Sequence, residues 1–350
     1  MTRDEILALP QYSLAQEKKD RLLTPLLVEL TASHRRRCAA YDRVVAAVRP
    51  NGDIPFLPTS LFKTYELRSV PEAEVFKTLT SSGTTGQSVS RIFLDKATAL
   101  LQTTALSKIM THFLGPERLP MILVETASVV KNRAMFSARG AGLVGMMNFG
   151  RQHFYALDDQ MALDEAGLRA FLEKFGRQPF LIFGFTFMVW QYFHERVKAL
   201  GMDLSNGILI HSGGWKKLQE LAVSNRVFKQ RLRDATGLAR IHNFYGMVEQ
   251  VGGVFMEGED GWLHPPNFAD VIVRDPMTWR EQPVGVPGVI QVLSILPESY
   301  PGHSILTEDL GVVHSVDAGV MKGKAFSVIG RVPKAELRGC SDTHAAEAVR

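Results

Sequence analysis

Between residues 91 and 232, short apolar runs alternate with longer amphipathic stretches, and this alternation restricts the possible folds more than any other feature of the chain. Arg91–Leu94, Met121–Val124, Phe180–Phe185 and Ile208–Ile210 are compact apolar segments of strand length. Ala97–Phe113, Leu163–Phe175 and Leu218–Leu232 carry apolar residues at helical spacing. Strands and helices in alternation are best buried by laying the strands in a mainly parallel sheet and packing helices over it. Beyond about residue 250 the texture changes. Trp262–His264, Val271–Val273, Val289–Ile295 and Gly311–Val313 read as strands separated by Gly, Pro and Asp, which predicts a smaller β-rich subdomain. The expected fold class is therefore α/β: layered, mainly parallel sheets with helices over about 1–250 and a small β-rich part over 251–330. Together these make one large domain, 1–330, followed by a short tail, 331–350.

The first fifty residues read as helical. Leu22, Leu26 and Leu30 recur every fourth position with Leu23 and Leu27 beside them, and Cys38, Tyr41, Val45 and Val48 continue the stripe. Pro25 is expected to start or kink a helix, and Arg49-Pro50-Asn51-Gly52-Asp53 ends the pattern.

Composition excludes several classes. With 45% hydrophobic and 22% charged residues and a net charge of +4, the chain is neither disordered nor strongly basic. Its densest basic run, Arg35-Arg36-Arg37 with Arg43, has no interleaved aromatics and reads as a solvated helix face, so no nucleic-acid partner is expected. Two cysteines, Cys38 and Cys340, argue against a disulfide framework and for a reducing compartment. The N-terminus lacks the apolar core of a signal peptide, and the most apolar stretch, Phe180–Phe193, is too short and mixed to span a membrane. The expected location is the cytoplasm.

The chemistry concentrates in the loop Ser81-Ser82-Gly83-Thr84-Thr85-Gly86, where four hydroxyl side chains and two glycines stand in six positions. Glycines let backbone N–H groups approach an anion, and hydroxyls add adaptable donors for phosphate oxygens. By residue type alone the segment is either such an anion nest or a solvated linker. It is not the common P-loop, because no lysine follows Gly86. The ordered string SSGTTG resembles the phosphate-binding loop of the adenylate-forming superfamily, which includes acyl-CoA ligases, luciferases and nonribosomal adenylation domains.

Further segments resemble that superfamily in the same order. Ile210-His211-Ser212-Gly213-Gly214 ends a strand in glycines and is similar to a Gly-Gly turn that lies along the adenine. Asn243-Phe244-Tyr245-Gly246-Met247-Val248-Glu249 resembles the Tyr-Gly-x-Thr-Glu motif, which implies Tyr245 against adenine and Glu249 holding Mg²⁺ near the phosphates. Val248 stands where threonine is usual, so one hydroxyl contact is missing. Leu306-Thr307-Glu308-Asp309-Leu310 resembles the Thr-Gly-Asp segment, which implies Asp309 on the ribose hydroxyls, with Glu308 in place of the usual glycine. Ile329-Gly330-Arg331 is similar to the Gly-Arg hinge before a C-terminal lid, with Arg331 on a ribose or phosphate oxygen. The implied ligands are ATP and Mg²⁺.

The sequence ends nineteen residues after Arg331, so the lid and its adenylation lysine are expected to be absent, and Lys334 stands too near the hinge to replace that lysine. One branch departs in this way: the LuxE-like acyl-protein synthetases. The specific likenesses are Phe56-Leu57-Pro58 with Phe62-Lys63, the SSGTTG loop, and Glu336-Leu337-Arg338-Gly339-Cys340. The resemblance implies that Cys340 accepts a fatty acyl group from acyl-AMP and that the thioester is passed to a reductase partner, with Cys340 and Glu249 as the catalytic residues. On its own chemistry Cys340 is either that acceptor, activated by the neighbouring Arg338, or an incidental thiol in a mobile tail. Other acceptors keep the same chemistry: CoA or a carrier protein, as in phenylacetate-CoA ligases. A non-catalytic nucleotide-binding subunit is the third reading. Phe183, Phe185, Phe187, Trp190, Met146 and Met147 supply apolar candidates for an acyl pocket near the strand–helix junctions, though each also suits plain core.

Overall fold

The computed structural model describes residues 1–47, 54–81, 88–131, 138–215 and 222–332. The described residues divide into two compact units: residues 113–244, and residues 1–112 together with residues 245–332.

The first of these is an α/β unit that holds the predicted alternation from residue 121 onward, whereas Arg91–Leu94, paired antiparallel with Lys77–Thr80, and nearly all of 97–113 fall in the other unit. The strands of the α/β unit run in the order Gly150–Leu157, Leu119–Thr126, Phe180–Phe185, Gly207–Ser212 and Arg240–Tyr245, all parallel. Every residue of Leu119–Thr126, Phe180–Phe185 and Gly207–Ser212 is buried. Such continuous apolar strands suit a parallel sheet covered on both faces. Helix Glu165–Phe175 buries Leu168, Phe171 and Phe175, spaced for one helical face, and starts where the Asp164 carboxylate accepts the Gly167 N–H at 2.9 Å. Helix Asn225–Thr236 buries Phe228 and Leu232 and stops at Gly237, whose φ of +75° is a left-handed cap that glycine adopts without strain. Sequence periodicity placed this helix at Leu218–Leu232. The observed start is Asn225, behind the cap residue Ser224, and residues 216–221 lie outside the described ones. The apolar stretch at Phe180–Phe193 is a strand running into a helix that opens into a π-helical turn over Val189–His194.

The second unit holds an antiparallel sheet in the order Ala269–Arg274, Gly288–Ser294, Ser304–Val316, Lys324–Arg331, Leu263–His264 and Phe255–Glu257. Leu57–Pro58 joins it in parallel with Ser304–Val316. The N-terminal helices belong here, not with the α/β part, so a division near residue 250 does not describe the chain. The reason is a set of contacts between residues remote in sequence. Asn267 accepts the Ser13 and Leu14 N–H groups at 3.1 and 3.2 Å. Lys19 Nζ donates to the Pro265 carbonyl at 3.1 Å, and His34 is bonded to both Ser69 and the Pro297 carbonyl.

Helix Gln16–Arg37 begins well before Pro25 and passes through it, and its buried face is Leu23, Leu27, Leu30 and His34. The stripe is thus rotated from the Leu22–Leu26 row toward Leu23–Leu27. Cys38 is buried as a free thiol, in keeping with its place in the apolar pattern. Among the described residues no helix is long and apolar enough to cross a membrane.

Candidate nucleotide site

Strands Lys77–Thr80 and Arg91–Leu94 of the second unit pair antiparallel on either side of the SSGTTG segment in sequence, and two bonds between Ser81 and Ser90 continue that pairing. Ser81 N–H donates to the Ser90 carbonyl at 3.1 Å, and Ser90 N–H donates to the Ser81 hydroxyl oxygen at 2.9 Å. Of the expected phosphate-loop residues only Ser81 is described, and it pairs with Ser90. Ser82, Gly83, Thr84, Thr85 and Gly86 lie outside the described residues.

After strand Arg240–Tyr245 and Gly246, a single 3₁₀ turn at Val248–Gln250 turns Glu249 inward, leaving it 6% exposed. Gln250 pins the turn by donating to the carbonyls of Val292 and Gly302 at 3.2 and 2.9 Å. Burial raises the Glu249 carboxyl above its ordinary range, the nearby Ser90 hydroxyl opposes that rise, and Glu308 and Asp309 add to it. The Ser90 contact falls short of a formed hydrogen bond. Among the described residues no cationic side chain is ion-paired with Glu249.

Tyr245, Asp309 and Arg331 come together in the same unit. The Tyr245 hydroxyl donates to Asp309 Oδ2 at 2.7 Å, and Arg331 Nε donates to Asp309 Oδ1 at 3.3 Å. Arg331 Nη2 also reaches Glu308 Oε2 at 3.4 Å. Burial and the Asp309 charge raise the Tyr245 phenol well above its ordinary value, so it stays protonated and a donor. Its ring lies 6.1 Å from Phe255 and 6.4 Å from Phe326, a wall of aromatics that fixes its direction. Thr307 orients the Asp309 backbone: its hydroxyl accepts the Asp309 N–H at 3.1 Å and donates to the Ile290 carbonyl at 2.8 Å.

In the α/β unit, strand Gly207–Ser212 ends in Gly213, at φ +84°, and Gly214. Only glycine takes that backbone angle freely. Just before the turn, His211 shares a 2.9 Å hydrogen bond with Thr186, whose hydroxyl also lies 3.1 Å from the Ser212 carbonyl. Burial holds His211 neutral, with its pKa near 3. Sequence reading assigned neither residue a role, since a lone histidine in a strand gives no signal of its partner. It also missed the pairing of Glu308 with Arg331, although the departure at Glu308 was visible. Phe183, Phe185, Phe187 and Met146 are buried in this unit, while Trp190 is half-buried and stacks on His194 at 4.9 Å. Cys340 lies outside the described residues.

The fold is that of the adenylate-forming ligases. It aligns with an open conformation of 2-hydroxyisobutyryl-CoA ligase, solved with 2-HIB-AMP and CoA, at a TM-score of 0.68 and 16% identity. The alignment covers 92% of this chain and 77% of that one. The sequence profile described as acyl-protein synthetase, LuxE, matches residues 2–348, and the chain belongs to that family. It is a ligase of that kind. Similar curated proteins are two long-chain-fatty-acid–luciferin-component ligases. That of Vibrio harveyi is 24% identical, with 95% of this chain and 89% of the relative covered. That of Aliivibrio fischeri is 23% identical over 310 residues, with 83% and 77% covered.

Proposed function

We propose that the enzyme binds ATP, joins a long-chain fatty acid to its α-phosphate as acyl-AMP, and transfers the acyl group to Cys340. The observation that carries the nucleotide part is the Tyr245–Asp309–Arg331 cluster, in the same unit as Glu249. A carboxylate supported by a phenol and a guanidinium is suited to grip two ribose hydroxyls. Tyr245 and Gly246 offer an aromatic wall for adenine. The loop Ser81–Gly86 supplies donors for the phosphates. The fatty acid is suggested by the names of the two similar ligases.

The residues also suit a magnesium ion travelling with ATP. Mg²⁺ is held by one or two carboxylates with phosphate oxygens and water, not by a full protein cage. Glu249 is a buried carboxylate with no cationic partner among the described residues, and those residues contain no cluster of three or more metal-ligating side chains. When bound, the ion would neutralise phosphate charge.

A carboxylate oxygen of the acid attacks the α-phosphorus and pyrophosphate leaves. The Cys340 thiolate then attacks the acyl carbon and AMP leaves, giving a thioester that a reductase partner accepts. The chain's share of the first step is orientation and charge stabilisation, by Asp309 on the ribose with Arg331 beside it and the loop donors on the phosphates.

Acid-dependent exchange of labelled pyrophosphate into ATP tests the first step. Exchange is expected with long-chain acids, and Glu249→Gln is expected to lower it roughly a hundredfold. Absence of exchange with every acid would reduce the protein to a nucleotide-binding subunit. Intact-protein mass tests the second step, with the acyl adduct expected to vanish in Cys340→Ala. Undiminished acyl-CoA formation by that variant would move the acceptor to CoA.

A further inference from the structure

Asp309 and Arg331 are register partners across the ladder between strands Ser304–Val316 and Lys324–Arg331. Neighbouring residues on a strand normally present their side chains to opposite faces. The Arg331 guanidinium nevertheless meets both Asp309 and Glu308, at 3.3 and 3.4 Å. The ladder is irregular between Leu310 and Gly311, directly after this pair, and the Val332 N–H donates to the Glu308 carbonyl at 2.9 Å. Asp309 is thus engaged on both oxygens, by Tyr245 on Oδ2 and by Arg331 on Oδ1.

Each oxygen keeps a second lone pair, but a ribose hydroxyl brought to Oδ1 must share that oxygen with the guanidinium. The phenol is anchored by its aromatic wall, so the guanidinium is the group that yields. An arginine with only Asp309 to pair with would compete with the ribose for that carboxylate. A second carboxylate at nearly the same distance removes the competition.

We propose that Glu308 is an alternate seat for Arg331, which lets Asp309 turn Oδ1 to the ribose while the guanidinium stays paired beside it. The inference rests on the reading of Asp309 as the ribose carboxylate. Glu308 and Arg331 are each about one-quarter to one-third exposed, at 25% and 31% of their side-chain surface. The transfer therefore takes place in a partly solvated setting where single ion pairs are weak and exchange readily. Glu308 is a positioning residue: it acts on the nucleotide through Arg331.

The test is the dissociation constant of ATP and of 2′,3′-dideoxy-ATP, by calorimetry on the full chain, for wild type, Glu308→Gln, Glu308→Gly and Glu308→Asp. Both Glu308→Gln and Glu308→Gly are expected to weaken ATP about three- to fivefold, the worth of one partly exposed pair. The dideoxy nucleotide offers Asp309 no diol, so the same variants are expected to leave its affinity unchanged. Glu308→Asp, keeping the charge, is expected to recover most of the ATP affinity. Equal loss for both nucleotides, which a merely structural role would produce, overturns the proposal. So does tighter ATP binding in the two uncharged variants. Ribose-dependent binding without pyrophosphate exchange would sink acid activation and leave the Glu308 inference standing. Equal wild-type affinity for the two nucleotides would sink the Glu308 inference and leave the exchange reaction to be judged on its own.

Discussion

The two units solve the problem of burial differently. In the α/β unit the core is a run of aliphatic and aromatic residues, with Ile122, Val124, Ile182, Leu209 and Ile241 from the sheet and Leu168, Phe171, Phe228 and Leu232 from the helices. The β-rich unit also buries apolar strands, but charged and polar side chains tie it to the N-terminal helices. Lys19 is 1% exposed and lies 4.0 Å from Asp270, which also pairs with Lys324 at 3.3 Å and accepts from Gln16 at 2.8 Å. His34 stacks on His303 at a ring separation of 5.1 Å, and Thr31 shares a 2.8 Å hydrogen bond with His303. An apolar core tolerates exchange of similar shapes, whereas a buried polar group demands its own partner. The first unit should therefore be forgiving and the second exacting.

The sharpest way to break that contrast is Asp270→Leu. It leaves Lys19 and Lys324 facing each other without their shared carboxylate, and the expected cost is about 4 kcal/mol of stability in urea denaturation. A loss below about 1 kcal/mol would show that the cluster is ornamental to the fold.

Acid comes next. Burial lowers the His34 pKa to about 4 and that of His303 well below its ordinary value. Both are neutral in the folded protein, while the unfolded chain takes up their protons as pH falls below about 6.5. Stability is thus complete above that pH and declines progressively toward pH 4, with His34 accounting for about 3 kcal/mol at the lower limit. Unfolding followed between pH 7 and pH 4.5 measures this, and a flat profile would remove the histidine pair from the account.

The smallest effect belongs to the apolar core. Phe228→Leu keeps most of the buried volume and is expected to cost about 1 kcal/mol. A loss as large as that of Asp270→Leu would erase the distinction between the units.

Much of the α/β unit was legible in advance because its signals are local. The strands at Phe180–Phe185 and Gly207–Ser212 and the helix at Glu165–Phe175 each advertise themselves within a dozen residues. Strand Gly150–Leu157 escaped notice, since half-buried residues interrupt its apolar run. The candidate site was proposed as an ordered set of residue types, from Ser81 through Glu249 and Asp309 to Arg331, of which the structure brings Asp309 and Arg331 into contact. Its connections were not legible. Tyr245 and Asp309 are 64 positions apart, and nothing in either neighbourhood announces a hydrogen bond between them.

By itself the sequence determined the periodicities, the order of the motifs and the departure at Glu308, because these are properties of neighbouring residues. Only the tertiary structure decided that residues 1–112 pack with the segment after 244, and that Tyr245, Glu308, Asp309 and Arg331 share one cluster. Ladder register and long-range polar contacts set those pairings. They arise when the chain closes on itself, and no window of sequence contains both partners.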